Sequence, residues 1–205
     1  MHPGEVLVAR LSGGVALARF KEDLGSRIRL ALGRNREAHV PAERVLIATG
    51  FVPENQDKFE EFQLHARSFL PEIDLSEVWD VLADDAELVT LQHLSELYWG
   101  KQADSARLIA LAFHLDTHTD YFTVIRNDYS PRSRDELRAL MNHRERESRN
   151  ATEVDSLIEA LVNGSLPKDL TEYQGKVLQH LKNLAIFGDD YSRSSTAKAF
   201  LRGVE

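Results

Sequence analysis

Apolar and polar residues alternate along most of the first fifty positions, which is typical of half-buried β-strands. A hairpin signal at residues 12–14 and later glycines separate the alternating runs. The runs cover residues 6–11, 15–21, 28–32 and 45–48. Together with a further short strand before Pro41, they predict a small SH3-like or OB-like β-barrel over residues 1–50.

The apolar spacing changes to that of helices after a linker at residues 50–55. The recurring side chains are Phe59, Phe62, Ala66 and Phe69. Because Pro71 cannot continue a helix, this stripe predicts a linker helix within residues 51–73. We interpret its aromatic side chains as core between the barrel and the next module.

Three short helices and a β-ribbon are predicted over residues 74–130. Asp74, Thr90 and Asp104 each precede an apolar-periodic run, and their side chains are expected to cap the helices. Gly100 ends the second run, and an alternating stretch follows the third. This order is the winged-helix pattern, which suits a nucleic-acid reader and a protein-docking module equally well.

The last part of the chain, residues 131–205, predicts a helical exit segment. A charged, arginine-rich helix is expected to start at Ser130-Pro131, and Thr152 with Asp155 resembles a capping box that starts a second helix. Gly164 is expected to end that helix. Another helix is expected to start at Thr171 and to break at Gly188, and a last one begins in the run at 194–201. A helix that begins so near Glu205 is typical of a fragment. The predicted fold class is therefore α+β.

Charge is distributed unevenly along a chain whose net charge is −8. Residues 1–50 carry eight Lys and Arg against five Asp and Glu, whereas residues 51–100 carry two against twelve. Phosphate binding depends on Lys and Arg, so a nucleic acid is expected to meet the N-terminal module first.

Cysteine is absent, which excludes disulfides and thiolate metal sites. No apolar run is long enough for a membrane span, and the N-terminus lacks the features of a signal peptide. We expect a cytoplasmic protein that does not bind a membrane.

Six cations of the predicted barrel are candidate RNA-binding residues: Arg19, Lys21, Arg27, Arg29, Arg34 and Arg36. The alternative is a structural β-module whose exposed arginines only keep it soluble. Three residues at the start of the third winged-helix helix are also candidates, since such helices present this end to nucleic acid: Lys101, Ser105 and Arg107. Here the alternative is that the helix packs against another domain.

No set of residues in the sequence indicates catalysis. His114 and His118 have a spacing that could share a metal on a helix, but no third ligand is evident, and two solvated histidines are the better interpretation. The acid pairs Asp84-Asp85 and Asp189-Asp190 point in different directions on a helix and predict no two-metal site. We therefore assign no catalytic residue, metal ligand or cofactor to this chain.

Several motifs of the chain resemble a known family. They are Gly4–Arg10, Pro41–Val45, the Trp-x-x-Leu and Val-Thr pattern of Trp79–Thr90, Tyr121-Phe122, and Tyr129–Arg132. In this order they resemble the N-terminal, non-catalytic region of bacterial ribonuclease II-like (RNB-family) exoribonucleases. The resemblance covers residues 4 to about 165.

The resemblance implies a function for the segment. Family members hydrolyse RNA from its 3′ end with Mg²⁺ held by aspartates of a catalytic domain, and that aspartate motif does not occur in this sequence. The chain is then an RNA-delivery and gating segment, whose partners are single-stranded RNA and a nuclease catalytic domain in cis or in trans. The alternatives are a winged-helix DNA-binding transcription regulator and a protein-interaction scaffold.

Overall fold

The computed structural model describes residues 1–33, 36–83 and 87–201, apart from the side chain of Gln102. Arg34 and Asp84-Asp85, which the sequence analysis singled out, lie outside the described residues. The described chain is a mixed α+β protein, as predicted. It divides into two compact units, Met1–Leu137 and Arg138–Glu205.

The first unit begins with a five-stranded antiparallel sheet in the order β4-β3-β2-β1-β5. Its strands are β1 (Val6–Leu11), β2 (Gly14–Asp23), β3 (Ile28–Ala31), β4 (Glu37–Val40) and β5 (Val45–Ala48). A 3-10 helix, Ala42–Arg44, lies between β4 and β5. Since β5 pairs with β1, the last strand extends the meander at the edge next to its first strand.

Both faces of this sheet bury apolar side chains. Leu7, Phe20 and Leu30 belong to a core on one face. Val6 and Val8 point to the other face and join a larger core that includes the helices. Successive side chains of a strand alternate between faces, so β1 supplies both cores at once.

The rest of the first unit is helical and ends in a two-stranded ribbon. Its elements are α1 (Gln56–Ser68), α2 (Leu75–Leu82), α3 (Leu91–Trp99), α4 (Ser105–Thr117), β6 (Phe122–Ile125) and β7 (Asp128–Pro131). The predicted caps are confirmed, because the side chains of Asp74, Thr90 and Asp104 accept backbone N–H groups at the starts of α2, α3 and α4.

Two contacts tie the ribbon to the helices. Val89 and Tyr129 exchange backbone hydrogen bonds of 2.8 and 2.9 Å, so a short bridge before α3 joins β7. The indole N–H of Trp79, on α2, donates to the carbonyl of Arg132 at 2.7 Å. Tyr129 itself is fully buried.

Helix α4 lies at the centre of the first unit. It contacts α1 and α3 as well as strands β2 and β5 of the sheet. Ile109, Leu111 and Leu115 are fully buried, and the small side chain of Ala110 is also inaccessible. Because other elements cover the helix on several sides, little of its surface could enter a groove of a nucleic acid.

The carboxylate of Asp116 joins α4 to the hairpin between β1 and β2. Its Oδ2 accepts the backbone N–H of Val15 at 2.8 Å, and its Oδ1 accepts from Nη1 of Arg10 at 3.2 Å. A Cβ atom added to Gly14 would lie 2.4 Å from Oδ2. The hairpin glycine is therefore required for the close approach as well as for its φ of 110°.

The second unit contains most of α5 (Arg134–Val162), together with α6 (Glu172–Phe187) and α7 (Ser194–Leu201). The predicted start of the charged helix at Ser130-Pro131 is wrong, since both residues belong to β7. Ser133 caps α5 instead: its hydroxyl accepts the N–H of Glu136 at 3.2 Å, and the Glu136 carboxylate accepts the N–H of Ser133 at 2.8 Å.

The predicted helix start at Thr152 is also wrong. Thr152 lies inside the continuous helix α5, and its hydroxyl donates to the carbonyl of Ser148 at 3.1 Å. Inside a helix, a threonine hydroxyl can bond to the carbonyl of the preceding turn instead of capping a helix start. The start of α6 is confirmed, since Thr171 and Gln174 form a capping box.

Removing the Asp116 carboxylate should destabilise the first unit. In the Asp116→Ala variant, the partly buried Arg10 and the N–H of Val15 lose their acceptor, which should cost about 1–3 kcal/mol. The measurement is urea unfolding, with Glu54→Ala as the control because Glu54 is an exposed acid of the same unit. Equal unfolding midpoints for the two variants would contradict a structural role for this carboxylate.

Candidate nucleic-acid surface

Three of the predicted RNA-binding cations line one open pocket on the sheet. Phe20 and Leu30 point into the core that also contains Leu7. The side chains next to them on β2 and β3 therefore point to the opposite face of the sheet. Arg19, Lys21 and Arg29 thereby line one open pocket of about 520 Å³. The other lining residues are Pro3, Gly4, Phe20, Glu22 and Ala31.

Carboxylates already neutralise part of this pocket. Arg29 forms an ion pair with Glu22 at 2.9 Å and lies 3.9 Å from Glu37, and Lys21 donates to Glu37. The hydrogen bond from Lys21 lowers the pKa of the Glu37 carboxyl. A phosphate entering here must therefore compete with two carboxylates for Lys21 and Arg29.

The remaining sheet cations do not share one environment. Arg19 donates to Oε1 of Gln56 at 3.1 Å and lies over the ring of Phe59 at 5.4 Å, so α1 holds it in place. Arg27 and Arg36 are exposed near opposite ends of β3. Neither of these two guanidinium groups forms an ion pair with a described residue.

Two of the three residues expected at the start of the third helix are held by other elements. Ser105 donates its hydroxyl to the carbonyl of Thr49 at 3.5 Å, at the end of β5. Arg107 lies over the ring of Phe69 at 4.8 Å and 3.5 Å from Asp104, while Lys101 is exposed in a 3-10 helix. The burial of α4 agrees with the alternative in which this helix packs against neighbouring elements.

A second pocket lies where α1 and α4 end, and the sequence analysis did not predict it. Its volume is about 590 Å³. Its lining residues are Arg67, Leu70, Pro71, Ile73, Phe113, His114, Thr117 and His118. The four-residue spacing of His114 and His118, which places both rings on one face of α4, is the sequence signal that relates to it.

The two histidines of this pocket stack on each other. Their ring centroids are 4.1 Å apart, with an angle of 16° between the planes. Nδ1 of His118 lies 2.9 Å from the hydroxyl of Thr117. Burial and the neighbouring His118 lower the pKa of His114, against a smaller opposite effect of Asp74. His114 is therefore uncharged at neutral pH.

Within the described part of the chain, no group of three or more His, Asp or Glu side chains could hold a metal ion. Asp189, one of the paired acids, forms an ion pair with Lys198. None of the described helices is both long enough and apolar enough to cross a membrane.

Comparison with known proteins finds no matching family model, no matching curated protein and no matching solved structure. A functional proposal for this chain is therefore built on its own residues. Two features are available for it: the cationic pocket on the sheet and the ring-lined pocket at the ends of α1 and α4.

Protonation of His114 should destabilise the protein. The fold lowers the pKa of this side chain below 6.5. The neutral His114 ring therefore contributes its full stability at a pH above 6.5, and this contribution is lost as the pH falls through the lowered pKa. Unfolding midpoints in urea, measured between about pH 7.5 and about pH 5.5, should fall less steeply for His114→Gln than for the wild type.

The matched control for this measurement is His93→Gln, because His93 is exposed on α3. It should keep the wild-type dependence on pH. Indistinguishable slopes for His114→Gln and the wild type would show that His114 titrates alike in the folded and unfolded chains.

Proposed function

We propose that this chain is the RNA-binding and delivery segment of a ribonuclease II-like 3′-to-5′ exoribonuclease. The observation that carries the proposal is the convergence of Arg19, Lys21 and Arg29 on one open pocket. Single-stranded RNA would contact these groups through its phosphates, because exposed cations on a sheet recognise charge rather than base edges. Its partner would be a nuclease catalytic domain, in cis or in trans.

We interpret the five-stranded sheet as an SH3-like barrel. Two observations support this interpretation over an OB-like one. The first four strands form an antiparallel meander, and the fifth returns to pair with β1. The 3-10 helix Ala42–Arg44 directly precedes that last strand. Both features are expected of a small barrel that closes on its first strand.

We interpret α2, α3, α4 and the β6–β7 ribbon as a winged helix. The supporting observation is the bridge between Val89 and Tyr129, which places a short extended segment beside the ribbon between the first and second helices. Trp79 and Tyr121, whose rings lie 5.5 Å apart, belong to the motifs that carry the family resemblance. These two motif residues therefore contact each other.

The pocket on the sheet supports weak, salt-sensitive binding. Glu22 and Glu37 offset much of the charge of Lys21 and Arg29, so a phosphate gains less than it would from unpaired cations. Such a surface suits the passage of an RNA strand better than its tight retention. RNA hydrolysis would belong to the catalytic domain, and we assign none of its steps to this chain.

The transcription-regulator alternative has less support. Reading DNA requires a helix that enters the major groove. Helix α4 would have that role, but it contacts α1, β2 and β5, and Ser105 at its start bonds to Thr49. The acid-rich composition of residues 51–100 also opposes an approach to duplex phosphates.

The Glu37→Gln substitution should strengthen RNA binding. It removes the carboxylate that pairs with Lys21 and lies near Arg29, and so frees both cations for phosphate. We expect affinity for a single-stranded oligonucleotide to rise about twofold to fivefold at low salt, and the gain to shrink as salt is added. Fluorescence anisotropy with a labelled oligonucleotide measures both effects.

Glu54→Gln is the matched control, because it changes the net charge equally at an exposed linker position. Arg27→Glu combined with Arg29→Glu should abolish binding, whereas Arg107→Glu should matter less. An equal gain in affinity from Glu54→Gln would show that the change in net charge alone accounts for the effect of Glu37→Gln. Salt-independent binding, or equal losses from Arg107→Glu and the double variant, would refute the sheet as the RNA surface.

A further inference from the structure

The described residues of the proposed sheet surface include one exposed ring, that of His39 beside Arg29, and no exposed Phe, Tyr or Trp. Phe20 is the only Phe, Tyr or Trp among residues 1–50, and it is buried in the core that it shares with Leu7 and Leu30. Proteins that bind single strands without sequence preference combine cations with exposed aromatic side chains. If the chain binds RNA as proposed, we expect further stacking groups on another surface of the first unit.

The pocket at the ends of α1 and α4 supplies such groups. We infer that this pocket, with the adjoining Arg107 and Phe69, is a nucleobase-stacking subsite for single-stranded RNA. We name this surface the α1–α4 track and define it by Arg67, Phe69, Arg107, Phe113, His114 and His118. The inference rests on the RNA-binding function proposed above and identifies a second contact region for the same ligand.

The floor of the pocket is apolar and partly open. Ile73 is buried beneath it, and Leu70 and Phe113 are half-buried. A planar base that covered these side chains would remove apolar surface from water on both partners. The volume of about 590 Å³ is within the range of small-molecule pockets and leaves room for a base.

The two histidines form one side of the pocket and favour a flat ligand. Their rings lie nearly parallel, and the outer face of such a stack can receive another planar group. Since Nδ1 of His118 is engaged with Thr117, the outer ring has a fixed orientation. This geometry suits stacking on a base and does not suit chelation of a metal ion.

Cations flank the rings along one side of α4. Arg67 is exposed and forms no ion pair with a described residue, so its guanidinium is available to a phosphate. Arg107 lies over Phe69, and it precedes His114 by two helical turns, or about 10 Å along the axis. The α1–α4 track is therefore long enough to contact neighbouring nucleotides. Its guanidinium groups lie next to its aromatic and histidine rings.

Acidic groups nearby limit where the phosphates can lie. Asp74 faces His114, although its carboxylate is engaged by the N–H of Ser76, and Glu72 is exposed in the adjoining 3-10 helix. Phosphates are expected on the side of Arg67, away from these acids, and at Arg107 they must compete with the Asp104 carboxylate 3.5 Å away. The base then points toward Phe113 and the histidines.

The test compares two oligonucleotides that have equal numbers of phosphates. One carries all its bases, and the other contains abasic residues at alternate positions. The intact strand should bind the wild-type chain on the order of tenfold more tightly, because each stacked base contributes measurably to affinity. His118→Ala removes an exposed ring without disturbing the core, and it should reduce this preference severalfold.

Arg67→Glu should weaken binding of both oligonucleotides, because it acts on the phosphates. The matched controls are His143→Ala and Arg146→Glu, both at exposed positions of α5. Neither control should alter the preference for the intact strand. Photo-crosslinking of a strand with photoreactive uridines should label the peptide after Arg107 that ends at Arg126 and contains Phe113, His114 and His118.

The outcomes separate this inference from the proposed function. Equal affinity for the two oligonucleotides, or an unchanged preference in His118→Ala, overturns the stacking subsite while RNA binding stands. Crosslinks confined to residues 1–50 have the same consequence. If the wild-type chain binds neither oligonucleotide at low salt, both the stacking subsite and the RNA-binding function are refuted.

Discussion

The carboxylate of Asp116 is the contact on which the arrangement of the first unit depends. It joins the last turn of α4 to the β1–β2 hairpin through Val15 and Arg10, and it requires a glycine at position 14. Arg10 also lies 3.4 Å from the hydroxyl of Tyr129, and burial raises the pKa of that phenol. One acid therefore links the sheet, the central helix and the ribbon. Because it fixes α4 on the sheet, it also determines which face of α4 remains accessible.

The electrostatics of the sheet show that a count of cations overestimates the positive charge available to a ligand. Residues 1–50 have a surplus of positive charge, but Glu22 and Glu37 lie between Lys21 and Arg29 and pair with them. Exposed ion pairs of this kind stabilise a fold only slightly. Their larger effect is on ligands, since each pair must be broken or shared when a phosphate binds. Under the proposed function, a second contact region that acts through stacking, such as the inferred α1–α4 track, would add affinity that the paired cations do not supply.

Local signals predicted the helix starts well where one side chain decides them. Asp74, Thr90 and Asp104 cap their helices because a short polar side chain can reach an N–H group only two or three residues away. The same type of signal gave a wrong start at Thr152, where the hydroxyl bonds backward to Ser148 within a continuous helix. Threonine makes either bond, and no glycine or proline interrupts the helix there. Helix α5 starts after Ser133, whose capping box with Glu136 is also a local signal.

The sequence by itself determined the class of fold, the alternation that builds the sheet and most ends of the helices, because these depend on residues within one turn or strand of each other. Only the tertiary structure decided which cations are paired, that Ser105 bonds to the end of β5, and that His114 and His118 border a pocket. Those contacts join residues that are distant in the chain, such as Arg10 and Asp116 or Arg67 and His114. Periodicity cannot predict them, since they arise from the way in which separate elements are brought together around α4.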